Sequence, residues 1–282
     1  MNLRHHRHLI LALLSCTFLW CNALKAEQIF IVSVFPQFSP ATIHQDWTQL
    51  LSRVEQATGY QFQLRIYDQF QKLDADIAAG IPDFAFLNAY QIIIAKKAQG
   101  YIPLVRPQRE ITGILVVRAD SQIRQLSDLK NQSVAFPAET AFAASTYLRS
   151  LLAEKEKISV QASYVGSLDN VYRQVLRGDA VAGGGGKASL NRQPPQVQSE
   201  LRILYTTPAT TPHVLAAHPR ITDLARKKVV QALLDLSKDT DGQNSLAAVE
   251  LSQPIVAAYQ RDYAALEKLH LERYATPTPS VK

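Results

Sequence analysis

The chain has 282 residues, 47% of them hydrophobic, with 30 Lys and Arg against 24 Asp and Glu, a formal charge of +6 and two cysteines. That is long enough for two ordinary domains and far too apolar for an intrinsically disordered chain. With 11 Gly and 14 Pro it is neither collagen-like nor of low complexity.

Residues 1–26 form the first recognisable unit. Arg4 and Arg7 sit in a cluster of histidines, an apolar run follows from Leu9 to Trp20, and a short polar stretch ends at Ala26. This is the three-part layout of a secretory signal peptide, with a run too short for a membrane-spanning helix. Cleavage is placed after Ala26, with Ala23 as the alternative. Leu13-Leu14-Ser15-Cys16 raises a lipid anchor at Cys16 as a minority alternative, because Leu14 is bulky where a small or branched residue is usual. A retained N-terminal anchor is the other.

Removal of this unit takes away Arg4, Arg7 and Lys25 and no acid, leaving 27 basic and 24 acidic residues, a net +3. A nucleic-acid partner then loses its support, since a basic binder shows a dense stripe of charge. Cys16 and Cys21 go as well. The mature chain would hold no disulfide scaffold, no thiolate metal site and no cysteine nucleophile. No later apolar stretch reaches about 18 uncharged residues, so a soluble exported protein is expected.

From Ile29 onward, strand-like and helix-like patterns alternate. Ile29–Val34 is a short β-branched run suited to a buried parallel strand. Ile43–Ala57 places Trp47, Leu50, Leu51 and Val54 on one helical face, with Gly59 as its stop. Phe62–Tyr67 reads as a strand, Phe70–Ala79 as a helix, Asp83–Leu87 as a strand, Tyr90–Ala98 as a helix and Tyr101–Val105 as a strand. The second block has strands at Ile111–Val117, Ser133–Phe136, Val160–Val165, Ala180–Ala182 and Arg202–Tyr205. Between them lie a short helical turn at Leu126–Leu129 and helices at Ala141–Ala153 and Leu168–Leu176. After the breaker-rich Thr206–Pro212, helices are predicted at Leu224–Leu236 and Ile255–Leu271. The polar tail 276–282 is expected to fray.

The order predicts an α/β protein of two lobes, each a mostly parallel sheet flanked by helices. Lobe 1 takes 27–112 and a helical return at 208–275; lobe 2 takes 113–207. Crossings are expected near Thr112–Leu115 and Thr206–Pro212. Two such lobes enclose a cleft, and in open α/β sheets ligands bind beyond the carboxyl ends of the strands.

Five loops fall on that edge. They supply Phe35, Gln37 and Phe38 after the first strand, and Asn88 and Tyr90 after the third. Lobe 2 supplies Glu139, Thr140 and Phe142 before a helix, Ser167 and Asp169 before the next, and Gly183 in the run Gly183–Gly186. Each has an ordinary reading too. Thr140 and Ser167 are good helix caps, Glu139 suits a helix's positive end, and Tyr90 suits an interior. Phe35 and Phe38, beside two prolines at a strand exit, are expected to stay partly exposed.

Enzyme signatures fail in turn. Gly183–Gly186 before Lys187 approaches a phosphate loop, but the earlier glycine is Val181 and the hydroxyl position is Ala188. There is no G-x-S-x-G elbow. His44, His213, His218 and His270 do not pair at metal-ligand spacing, so no metal and no cofactor are expected.

The chain resembles the periplasmic substrate-binding proteins of the phosphate, phosphite and phosphonate ABC transporters. Four stretches carry the resemblance: Val34-Phe35-Pro36 with its helix; Gly80 to Tyr90, running on to Gly100-Tyr101-Ile102-Pro103-Leu104; Ser133-Val134-Ala135-Phe136-Pro137; and Gly166 to Val171 with Gly178-Asp179-Ala180. It implies a type II periplasmic-binding-protein fold, a periplasmic location, a small-molecule ligand and an inner-membrane permease as partner, with the mature chain a monomer. A membrane-bound sensor kinase is the alternative partner, and no catalytic role is implied.

Departures from the family lie in the ligand loops. The Ser-Thr-Ser-Gly helix start that grips the anion in phosphonate-type members reads Glu139-Thr140-Ala141-Phe142 here, so only the threonine remains. The family's histidine is Leu168, beside a retained Asp169, and an acid after the glycine turn is Val181. Each lost donor leaves an anion oxygen unpaired at roughly 1–3 kcal/mol. A ligand that is neutral or carries a cationic group, meeting Glu139 or Asp169 and the aromatic residues, is expected instead.

Overall fold

The computed structural model describes residues 29–275. The export unit, the anchor at Cys16 and the tail 276–282 lie outside the described residues. The chain first forms β1 (Ile29–Val34), β2 (Gln61–Ile66), β3 (Phe84–Leu87) and β4 (Ile102–Pro107). It crosses to a second lobe for β5 (Gly113–Arg118), β6 (Ser133–Phe136), β7 (Gln161–Tyr164), β8 (Ala182–Gly186) and β9 (Leu201–Thr206). It then returns to add β10 (Val214–Ala217) and β11 (Pro254–Val256) to the first sheet. The two sheets run β11-β4-β10-β3-β1-β2 and β7-β6-β8-β5-β9.

Both sheets are mixed, where mostly parallel ones were expected. Strands β1, β2 and β3 pair in parallel, as do β7, β6 and β8. The first strand after each crossing inserts antiparallel: β5 between β8 and β9, and β10 between β3 and β4. Strand β11 closes the first sheet antiparallel to β4. The crossings are tied to each other. Gly113 N donates to Thr207 Oγ1 and Thr207 N to the Gly113 carbonyl, both at 2.9 Å, and Ile111 bridges Thr210.

Helix α1 (Pro40–Thr58) shows how local sequence sets an element. Ser39 caps it, accepting from Thr42 N, proline occupies its first turn, and Gly59 at φ 71° closes it. A left-handed residue at that position is where glycine costs least. The face formed by Ile43, Trp47, Leu50, Leu51 and Val54 is buried, as the spacing predicts. Helix α2 (Phe70–Ala78) buries Phe70, Leu73 and Ile77, and helix α3 (Ala89–Gln99) starts at an Asn88–Gln91 capping box.

Three expectations are corrected. The glycine run is not a loop but strand β8 itself, and its lack of side chains is a packing requirement. A Cβ on Gly184 would lie 2.1 Å from the Ala144 carbonyl oxygen, and one on Gly183 2.5 Å from a Val171 methyl. Helices press on both faces of this strand closely enough to exclude a methyl group. The second correction is Ile255–Leu271, which is not one helix but β11, a short helix Tyr259–Asp262 and a 3₁₀ stretch Ala264–Leu269. Third, the helix expected at Ala141–Ala153 is helix α4, residues 142–155, built of π-helical turns at Phe142–Thr146 and Leu151–Lys155 around an α-helical Tyr147–Ser150. Such widened turns recur at functional sites.

Candidate ligand cleft between the lobes

The lobes meet along some of the loops singled out above, first among them those of Asn88 and Glu139–Thr140. Asn88 holds the start of α3 through its Oδ1, which accepts from Tyr90 N at 3.0 Å and Gln91 N at 2.9 Å. Its Nδ2 is thereby aimed outward and donates across the cleft to the Thr140 carbonyl at 2.9 Å. Thr140 does not cap α4; Ala141 is the cap residue and makes no side-chain bond. The Thr140 hydroxyl instead donates to Asp74 Oδ2 of α2 at 2.9 Å, while Gln91 Nε2 donates to Asp74 Oδ1 at 2.8 Å. Glu139 is 8% exposed, and its Oε2 accepts from Gln71 Nε2 of α2 at 2.9 Å.

Two carboxylates from opposite lobes therefore converge, and among the described residues every hydrogen-bond donor to them is neutral. Burial raises the Asp74 carboxyl above the usual range; the bonds from Gln91 and Thr140 oppose this, and the charge of Glu139 adds to it. Burial also pushes the Tyr90 phenol up to about 12, with the charges of Glu272 and Asp74 contributing. Arg149 lies behind the helix start. Its guanidinium donates to the Glu139 carbonyl at 2.9 Å and to the Tyr274 carbonyl, and sits over the rings of Phe136 and Tyr164. It braces the backbone of the loop and, among the described residues, makes no hydrogen bond to the two carboxylates, although the charge of Glu139 acts on it.

A second group gathers at the exit of β1. Phe35 is only 3% exposed, stacked on Phe86 at 5.6 Å and edge-on to His213 at 4.7 Å. Phe38 is buried as well. The expected exposure of both rings is corrected: Phe35 packs among Phe70, Phe86 and His213, and Phe38 is covered at the seam by the Arg192 guanidinium. Near Gln37 the carboxyl of Glu250 is raised by burial, opposed by the charge of Arg192 and by the Gln37 amide. His213 Nε2 lies 3.7 Å from Glu250 Oε2, its Nδ1 has no partner among the described residues, and burial lowers its pKa to about 4. It is a neutral imidazole at pH 7. Nearby, a seam cleft of about 460 Å³ is lined by Phe38, Asp169, Tyr172, Arg192 and Gln193. A larger groove of about 650 Å³ lies on lobe 1 alone, beside Arg65, Tyr67 and Lys72.

The remaining candidates separate. Asp169 faces the seam and accepts from Gln193 Nε2 at 2.8 Å. Phe142 is buried and stacks on Tyr147 at 5.6 Å. Ser167 caps its helix, accepting from Asn170 N at 3.2 Å. Gly183 lies within β8 under the helix Leu168–Arg177, apart from the cleft loops. Sequence reasoning missed Gln71, Asp74 and Gln91. A usable signal existed for the first two: they are three apart on one helix face, at the carboxyl end of a predicted strand.

A family model described as "ABC transporter, phosphonate, periplasmic substrate-binding protein" matches residues 32–263. No curated protein matches the chain by sequence. Among solved structures, PhnD1 of Prochlorococcus marinus in complex with methylphosphonate superposes with a TM-score of 0.79 at 16% identity, covering 89% of this chain and 100% of its own. A binding protein component of an ABC phosphonate transporter from Pseudomonas aeruginosa gives 0.78 at 13% identity, covering 88% and 87%. A protein of Xanthomonas citri bound to ATP gives 0.72 at 14% identity, covering 88% and 100%. At these identities the likeness concerns the fold, that of the two-lobed type II binding proteins.

Proposed function

Because the chain belongs to the phosphonate family of periplasmic substrate-binding proteins of ABC transporters, we propose that its interlobe cleft selects a ligand that is neutral or carries a cationic group. The protein captures a small molecule and delivers it to an ABC transporter. What is particular to this chain is the chemistry of its cleft.

The observation that carries the proposal is the pairing of Asp74 with Glu139 across the lobes. Thr140 is the one hydroxyl kept from the family's anion-gripping helix start, and it is already committed to Asp74. A phosphonate oxygen would compete with a carboxylate for that donor and meet a second carboxylate beside it. Bringing like charges together in a partly buried site is unfavourable, whereas an ammonium or guanidinium group between them relieves the repulsion. Tyr90, within reach of the Asp74 charge, adds an aromatic ring beside the pair.

Calorimetry with methylphosphonate on the unmodified protein and on Glu139→Ser tests this. Weak native binding that Glu139→Ser strengthens is expected. Submicromolar binding by the native chain would refute it. A thermal-shift screen of amines, amino acids, oxyanions and phosphonates identifies the class that raises the melting temperature by mass action. Export with cleavage after Ala26 belongs to the same proposal. Intact-mass analysis of exported protein should give a chain beginning at Glu27, and an acylated Cys16 would overturn it.

A further inference from the structure

Arg192 follows the short helix Lys187–Asn191 of lobe 2, yet its guanidinium is spent entirely on lobe 1. It lies 4.1 Å from the centre of the Phe38 ring. One nitrogen donates to Asp46 Oδ2 at 2.8 Å and another to the Ala248 carbonyl at 3.0 Å. The three partners come from separate elements of lobe 1: the loop after β1, helix α1, and the end of the helix Thr240–Ala248. Among the described residues this side chain makes no hydrogen bond within its own lobe.

We propose that Arg192 is a closure latch: a positioning residue that sets the balance between open and closed lobes, and through it the affinity for ligand. A planar guanidinium lays its face on a ring while the donors along its edge hold two acceptors in fixed directions, a geometry the compact ammonium lacks. All three contacts break when the lobes part, so their free energy belongs to the closed state alone. A ligand that binds the closed form is held more tightly in proportion to the population of that form. Arg192 lies at the rim, with 34% of its side chain exposed and 18% of Asp46. It is distinct from the Asp74–Glu139 pair, and the latch holds whatever the ligand's charge.

Removing the latch should lower the closed-to-open ratio about tenfold, equivalent to ~1.4 kcal/mol. The test needs no ligand. Spin labels on Lys130→Cys in lobe 2 and Lys227→Cys in lobe 1, with Cys16→Ser and Cys21→Ser, report the interlobe distance by pulsed electron resonance. Arg192→Ala should move population from the closed to the open distance, and Arg192→Lys should move less of it. Asp46→Asn should give a smaller shift that does not add to that of Arg192→Ala, as expected for two members of one contact. Arg177→Ala serves as a control, because Arg177 is exposed and donates to Asp179 in its own lobe. An unchanged distribution in Arg192→Ala, or an equal shift in Arg177→Ala, overturns the proposal.

Discussion

Two glycines of β8, Gly184 and Gly186, should respond differently to the same added methyl group. At Gly184 the new Cβ would sit 2.1 Å from the Ala144 carbonyl oxygen and 2.6 and 2.8 Å from two carbons of the Phe136 ring. Ordinary contact begins near 3.4 Å, so the oxygen must retreat by more than 1 Å. That atom belongs to the backbone of the π-helical turn Phe142–Thr146 and cannot rotate away. The helix start must lift from the sheet, at a cost of about 1–3 kcal/mol or more. Gly186 has φ −123° and ψ 151°, open to any residue, and its Cβ would meet only Ser189 Oγ at 3.7 Å. Gly186→Ala should be neutral, or stabilise by about 0.4–1 kcal/mol by restricting the unfolded chain. Urea unfolding of both variants is the assay. A Gly184→Ala protein within about 0.5 kcal/mol of native, the ordinary range for a surface substitution, would refute the argument that glycine is there for close approach. Because the same turn follows Glu139 and Thr140, Gly184→Ala should also change ligand affinity while Gly186→Ala does not.

Two titrating groups give predictions of opposite sign. The raised pKa of Asp74 means that its contribution to stability is complete below its unfolded pKa and is lost as pH rises through its folded one. Asp74→Asn should therefore stabilise the protein at neutral pH and flatten the decline that begins above about pH 4; an unchanged urea-midpoint profile would count against it. Burial opposes ionisation of Asp262, but Arg261, the Ala258 amide and Arg106 outweigh it and hold the pKa at about 2. Its contribution is present above the unfolded value near 3.9 and disappears as pH falls toward 2. Asp262→Asn should cost about 2 kcal/mol at pH 7 and little at pH 2, and equal losses at both would contradict the assignment.

Much of the fold is legible because apolar periodicity is a local signal. The buried face of α1 follows from its spacing alone, and Gly59 marks its end. The errors arise where tertiary contact overrides local preference. Gly183–Gly186 has no intrinsic strand propensity; it is a strand because two helices need the space its side chains would fill. Val214–Ala217 is too short for its pattern to stand out, and it becomes β10 only because β3 and β4 leave a place between them. Ile255–Leu271 carries helical spacing, but its first residues pair with β4 and break the helix there.

Which loops border the candidate cleft was legible in the sequence and what faces them was not, and the reason is physical. A loop at a strand's carboxyl end can be placed from the strand alone, which locates Asn88, Glu139 and Thr140. Whether Thr140 caps a helix or reaches across the cleft depends on what faces it, and that is decided by Asp74, 66 residues away. With Asp74 in place the hydroxyl has a carboxylate to satisfy, the cap position falls to Ala141, and α4 opens in a widened turn. Glu139 is subject to the same logic. Turned outward it would only decorate a helix start, but with Gln71 opposite it is held between the lobes. Thr140 and the two carboxylates thus form one arrangement: the Thr140 hydroxyl is occupied by Asp74 of the facing lobe, and Glu139 beside it is held by Gln71.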